Sequence, residues 1–219
     1  MSRIFKVWSK YYLTFLHGLF GTLWLSFAVV ILGTLLGVMI AFVKTNRFKP
    51  VRMIGDIYIE ILRGTPILVQ LYFFWLALPK ILPFELSDTA CILVALTVNA
   101  SAYIGEIIRA GIAAVDKGQW EAARSVGLSE VHMMTHVIMP QAIKNILPAL
   151  GNEFISTVKG TSLASVFFIS ELTTSYKTVS SATFLPLQSL IIIAFIYFVL
   201  NYTLSKLLAV TERRLMVSD

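Results

Sequence analysis

Asp116 to Pro140, DKGQWEAARSVGLSEVHMMTHVIMP, is the one long polar insert in a chain otherwise built of uncharged apolar runs. Its first part, Gln119 to Val126, holds the good helix formers Glu121, Ala122, Ala123 and Arg124. Gly127 follows, where the left-handed turn that ends a helix is wanted. Ser129 is placed to cap a second helix with an apolar interior (Val131, Met133, Met134, Val137, Ile138) that is expected to end near Pro140. The stretch predicts a short helix, a glycine bend and a second helix entering a membrane, a knob that something outside the bilayer reads.

The membrane follows from composition. With 57% hydrophobic residues, 14% charged residues and a mean hydropathy of +0.80, the chain lies outside the soluble globular range. The net charge of +6 is spread over short loops rather than gathered on one face, which fits anionic lipid and membrane orientation and argues against nucleic acid. Cys91 is the only cysteine, so no intrachain disulfide or cysteine-cluster metal site is available. Arg3, Lys6 and Lys10 precede an apolar run as in a signal peptide, but the 26 uncharged residues from Gly18 to Val43 are too many for one and predict a first span.

In order, that span carries Gly33 and Gly37, a small-xxx-small pair suited to close helix packing. A basic loop (Lys44, Arg47, Lys49, Arg52) follows. Met53 to Pro79 holds Asp56, Glu60 and Arg63 before its uncharged part, which predicts a polar helix, a break at Gly64 and a membrane helix with Thr65 as cap and Pro66 at its first position. Gln70 then lies one turn inside, open to either a helix–helix hydrogen bond or a ligand. The third span starts near Thr89 and carries Asn99, Ser101 and Tyr103, with Glu106 and Arg109 placed to pair along the helix.

The fourth span, after Pro148, breaks the apolar rule with Asn152, Glu153, Ser156, Thr157, Lys159, Thr161 and Ser162. At about 100° per residue Glu153, Thr157 and Gly160 share one face, while Glu153 and Lys159 stand about 120° apart. Glu171 and Lys177 fall in an expected polar turn, and the last span runs from Pro186 to Ser205. The reading is an all-α integral membrane protein of five transmembrane helices in one domain, residues 1–219.

Three motifs carry a family resemblance. Glu121-Ala122-Ala123, Gly127 and Val137-Ile138-Met139-Pro140 resemble the EAA loop of ABC-importer permeases (EAA, Gly, then Ile-x-Leu-Pro), with Val for Ile and Met for Leu. Arg63-Gly64-Thr65-Pro66-Ile67-Leu68-Val69-Gln70 is similar to the RGTP-x-LVQ signature of permeases for polar amino acids, and Asn99 to Ile112 continues the likeness. Asn152, Ile155, Lys159, Thr161, Ser162 and Leu163 resemble that group's N-x-x-I-x-x-x-K-D-T-S-L, with Gly160 in place of the usual acidic or amide residue.

The resemblance implies a type I ABC importer-like fold in the inner membrane of a bacterium. It implies that Glu121, Ala122, Ala123 and Gly127, within residues 116–140, form a coupling helix docked on a separate ATPase. It further implies a homodimer or a pair with a sister permease, an extracytoplasmic binding protein and an amino-acid substrate. Candidate substrate contacts are Gln70, Asn99, Ser101, Glu153, Thr157 and Lys159, with Glu153 favouring a cationic amino acid; the alternative is that Glu153 and Lys159 are structural.

No P-loop is present, so no cofactor is expected on this chain, and ATP and magnesium belong to the partner. His132 and His136 are four apart but lack further ligands, and no catalytic cluster is evident. Rival readings are a channel or scaffold without ATP coupling, or a membrane enzyme built on Glu153 and Lys159. With the first loop, the coupling stretch and the C-terminal end inside, eleven basic residues lie there against five outside, which places the N-terminus out and the C-terminus in.

Overall fold

The computed structural model describes residues 3–216, with side chains through residue 214. Among the described residues every regular element is helical. The first, α1 (Arg3–Lys44), is unbroken over 42 residues. At 1.5 Å per residue it is about 63 Å long, twice the ~30 Å hydrocarbon core, so it extends well before the expected start at Gly18. The early part of α1 is held by apolar packing, with Val7 and Phe15 buried in a cluster that includes Leu172, Val179, Ile192 and Ile193.

The later part of α1 lies against α4 (Asp88–Ala113), and this pair forms the centre of the molecule. Small residues permit the approach, as the Gly33 and Gly37 spacing predicted. A Cβ on Gly37 would stand 2.8 Å from Cγ2 of Ile104 and 3.1 Å from the amide of Gly105. At the end of this pair Lys44 bonds Glu106 at 2.8 Å and lies 3.5 Å from Asp56, while Arg109 pairs with Glu106 along α4. The Glu106 and Arg109 pairing matches expectation; Lys44 adds a link from α1 to both α4 and α2 (Lys49–Gly64).

After α2 the chain turns by 109° into α3 (Ile67–Ile81), at the break expected from Gly64 to Pro66. The cap differs from expectation. Pro66 is itself the N-cap of α3, and the Thr65 hydroxyl turns back to donate to the Ile61 carbonyl at 2.8 Å. That hydroxyl also accepts from the Gln70 amide at 2.8 Å, so the exposed backbone of the break is held by side chains.

The knob begins with α5 (Lys117–Ser125), capped by Asp116, whose carboxylate accepts from the amide of Gly118 at 2.7 Å. Gly127 has φ +76°; its amide donates to Arg124 and that of Leu128 to Ala123, the paired bonds of a Schellman turn. Ser129 then caps α6 (Glu130–Met133) as predicted, accepting from His132. The expected end near Pro140 is not there. A π turn (Met134–Ile138) leads directly into α7 (Met139–Gly160), so the fourth long helix starts nine residues before Pro148. Proline is tolerated in a helix's first turn, where its missing N–H is not required.

A 3-10 segment (Thr161–Phe167) follows, and then α8 (Leu172–Thr183). The expected polar turn at Glu171 and Lys177 is therefore a helix, stabilised because the buried Glu171 carboxylate caps it by accepting from the amides of Thr173 and Thr174. Glu171 also accepts from the Tyr197 hydroxyl of α9 (Pro186–Met216) at 3.2 Å. Among the described residues three helices, α1, α4 and α9, are long and apolar enough to cross a membrane, and the bent pair α2 and α3 makes a fourth if taken as one span. With 22 residues, about 33 Å, α7 has the length for a fifth, but it carries Lys144, Glu153 and Lys159.

The α1 and α4 contact generates a stability prediction. Gly37→Ala forces Ile104 or the α4 backbone to move, whereas Gly64→Ala places a methyl where nothing lies within 4 Å. In detergent, Gly37→Ala is expected to lower stability by about 1–3 kcal/mol, seen as a lower thermal unfolding midpoint, with Gly64→Ala unchanged. Equal midpoints for the two variants would remove close packing as the basis of this contact.

Candidate functional site

A cavity of about 430 Å³ opens where four elements meet. The break between α2 and α3 supplies Thr65, Pro66 and Ile67; α4 supplies Leu96, Asn99, Ala100 and Tyr103; α7 supplies Glu153, Ser156, Thr157 and Gly160; and α1 supplies Val29. The helical periodicity read from the sequence accounts for the α7 wall, because Glu153, Ser156, Thr157 and Gly160 recur at three- and four-residue steps.

Of the six candidate substrate residues, the structure brings Asn99, Glu153 and Thr157 to this cavity. The other three stand elsewhere. Gln70 is buried behind it, its Nε2 donating to the carbonyls of Leu62 (2.8 Å) and Thr65 (3.1 Å) and its Oε1 accepting from Nδ2 of Asn99 at 2.9 Å. Gln70 thus takes the helix–helix alternative and orients Asn99. The Ser101 hydroxyl donates to Val98 and meets the Tyr58 hydroxyl, both at 2.7 Å, away from the cavity. Lys159 is exposed and does not line the wall, so it forms no pair with Glu153.

Sequence reasoning missed Thr65, Tyr103 and Ser156 as wall residues. Tyr103 follows Asn99 by four and Ser156 follows Glu153 by three, so the same periodicity could have found both. Arg63 was also missed: its guanidinium lies over the Tyr103 ring, 5.4 Å from the centroid, beside the cavity.

Chemically the cavity offers one acid and one electropositive backbone end. Glu153 is half-buried and makes no ion pair among the described residues. A carboxylate so placed favours a cationic group brought in by a ligand. The start of α3 faces the same space through Pro66 and Ile67, and the first amides of a helix carry partial positive charge and lack intrahelical acceptors.

A second candidate surface is the knob. Glu121 and Ala122 of α5 are exposed, Ala123 is buried against the body, and Gly127 lies open at the bend. Val126 and Val131 are more than 70% exposed on this polar stretch, giving the knob an apolar tip. His132 and His136 stack at 4.8 Å, and no group of three or more metal-ligating side chains occurs among the described residues.

Comparison with known proteins gives one consistent result. Among relatives, the arginine transport system permease protein ArtQ of Bacillus subtilis is 38% identical over 93% of each chain. A putative glutamine transport system permease protein GlnP of Rickettsia bellii is 36% identical over 90% of each. A crystal structure of an amino acid ABC transporter with histidines superposes with a TM-score of 0.92 at 46% identity, covering 98% of this chain and all of that one. An inward-facing MetNI methionine ABC transporter shares the fold, with a TM-score of 0.81 at 16% identity. Residues 33–217 match the family described as binding-protein-dependent transport system inner membrane component, and the chain belongs to that family.

Proposed function

We propose that this chain is the membrane permease of an ATP-driven importer that carries cationic amino acids inward. The observation that supports it is the cavity in which Glu153, without an ion pair among the described residues, stands with Asn99, Thr157 and the start of α3. Glu153 receives the positive group of the substrate. The first amides of α3 receive its carboxylate, a role for which Lys159 is poorly placed and which discontinuous membrane helices serve well. A dicarboxylate would meet repulsion at Glu153, and the arginine system of Bacillus subtilis is among the relatives.

Hydrolysis belongs to a separate ATPase, which holds ATP and magnesium and engages Glu121, Ala122, Ala123 and Gly127. Two permeases, either identical or sister chains, pair around the path, and an extracytoplasmic binding protein delivers substrate. Closure of the ATPases drives alternating access around the cavity. In this reading α7 is the fourth of five spans and the N-terminal side of α1 stands outside the cell, in the inner membrane of a bacterium.

Three measurements test these statements. In Glu153→Gln, ATP-driven uptake of arginine, lysine and histidine into proteoliposomes is expected to fall about tenfold or more, while assembly and basal hydrolysis persist; wild-type uptake of every cationic amino acid would show that Glu153 is no ligand. At Gly127 a Cβ would meet nothing within 4 Å, so the effect expected of Gly127→Val comes from φ +76°, a conformation costing a side-chain-bearing residue about 1–2 kcal/mol. That variant is expected to insert normally and lose ATP-coupled uptake, and normal coupled uptake would sever the bend from coupling. For topology, a cysteine at Ser9 should react with a membrane-impermeant thiol reagent in intact spheroplasts and one at Thr211 should not; the reverse pattern would overturn the orientation.

A further inference from the structure

The segment between knob and cavity departs from α geometry at one place, and the departure has an identifiable chemistry. In an α-helix the carbonyl of His136 would accept from residue 140, but Pro140 has no N–H. The chain takes in one extra residue instead: in the π turn the amide of Met139 donates to the carbonyl of Met134, five back. The side chain of Gln141 then uses both of its amide hydrogens. One goes to the Val137 carbonyl at 2.9 Å, within the turn, and the other to Oε1 of Gln119 on α5 at 3.2 Å. Beyond this and a wide, exposed Arg124–Glu130 pair at 3.9 Å, α5 rests on Ala123 and Trp120, which join Met133 and Ile138 in an apolar cluster. Apolar contact holds α5 close but sets no angle, because it is non-directional.

We propose that Gln141 is a positioning residue for transport: it clamps the π turn and α5 together and so fixes the angular register between the knob and the cavity helix. One residue of α-helix corresponds to about 100° of rotation. The inserted residue, which Pro140 maintains, therefore sets the face that α5 presents, and loss of the clamp would leave α5 docked but free to tilt on its apolar contact, so that its displacement no longer reaches α7 in full. With the clamp intact, force applied to α5 reaches α7 as the motion of one body. The assignment rests on the transport reading above, and it adds a residue that the sequence motifs did not single out.

The test compares uptake with hydrolysis in complexes of permease and ATPase in proteoliposomes. Q141L is expected to assemble and hydrolyse ATP near the wild-type rate, with amino-acid uptake per ATP lowered about tenfold, the scale of losing one or two hydrogen bonds. In a C91A background, Q119C/Q141C should behave like Q141L when reduced. It should regain coupling when a short bifunctional thiol reagent bridges the pair, which a role in folding alone would not produce. Wild-type uptake per ATP in Q141L, parallel loss of uptake and hydrolysis, or a bridged protein that stays uncoupled would each overturn the proposal. Absence of ATP-driven uptake in the wild-type complex is a separate result that sinks the transport reading. In that case a nitroxide at Ser125 in the isolated permease decides: the proposal requires greater mobility in Q141L that bridging of the double variant suppresses, and unchanged mobility overturns it.

Discussion

A peptide group shielded from water needs another partner, and at three of the places where this chain interrupts its helices a side chain supplies one. At the turn between α2 and α3, Thr65 and Gln70 satisfy the carbonyls of Ile61, Leu62 and Thr65. At the start of α8 the buried Glu171 receives the first amides. At the π turn Gln141 bonds Val137. These four polar residues permit a broken backbone among long helices, and the breaks make room for function: one lines the cavity, and another joins the cavity helix to the knob.

The same constraint explains which readings the sequence supports. Elements ended by strong local chemistry were legible. Gly127 with Ser129 defined the bend of the knob, Gly64 to Pro66 defined the break, and Glu106 with Arg109 paired as their spacing required. Readings failed where tertiary contacts override local preference. Pro140 read as an end because a π turn has no signature of its own in the sequence. The Ser- and Thr-rich α8 read as a turn, although the buried Glu171 at its start and the apolar cluster beneath it make it a helix. The early part of α1, with Lys6 and Lys10, read as a flank; its buried positions, Val7 and Phe15, become apparent only when α8 and α9 pack on them.

The site was half legible for a related reason. Periodicity places residues on a face, so Glu153 and Thr157 could be grouped and Asn99 set among the polar positions of α4. Polarity in an apolar segment does not say what a side chain meets. Gln70 spends its hydrogen bonds on backbone and Asn99, Ser101 on Tyr58 and Val98, and Lys159 points away from the wall. The knob was easier, because a short capped helix outside the bilayer depends on neighbours in sequence rather than in space.

Gly160 stands on the cavity wall, and a Cβ built there would meet nothing within 4 Å. It is the last residue of α7 and has ordinary helical backbone angles, so its lack of a side chain serves neither a left-handed turn nor a close packing contact. What it contributes is empty volume. An alanine methyl at 160 would extend toward the cavity without touching a neighbour, and so would leave the packed frame of α1 and α4 untouched. Under the transport reading proposed above, cargo size and charge would be adjustable at this one position, separately from the packing that holds the helices together.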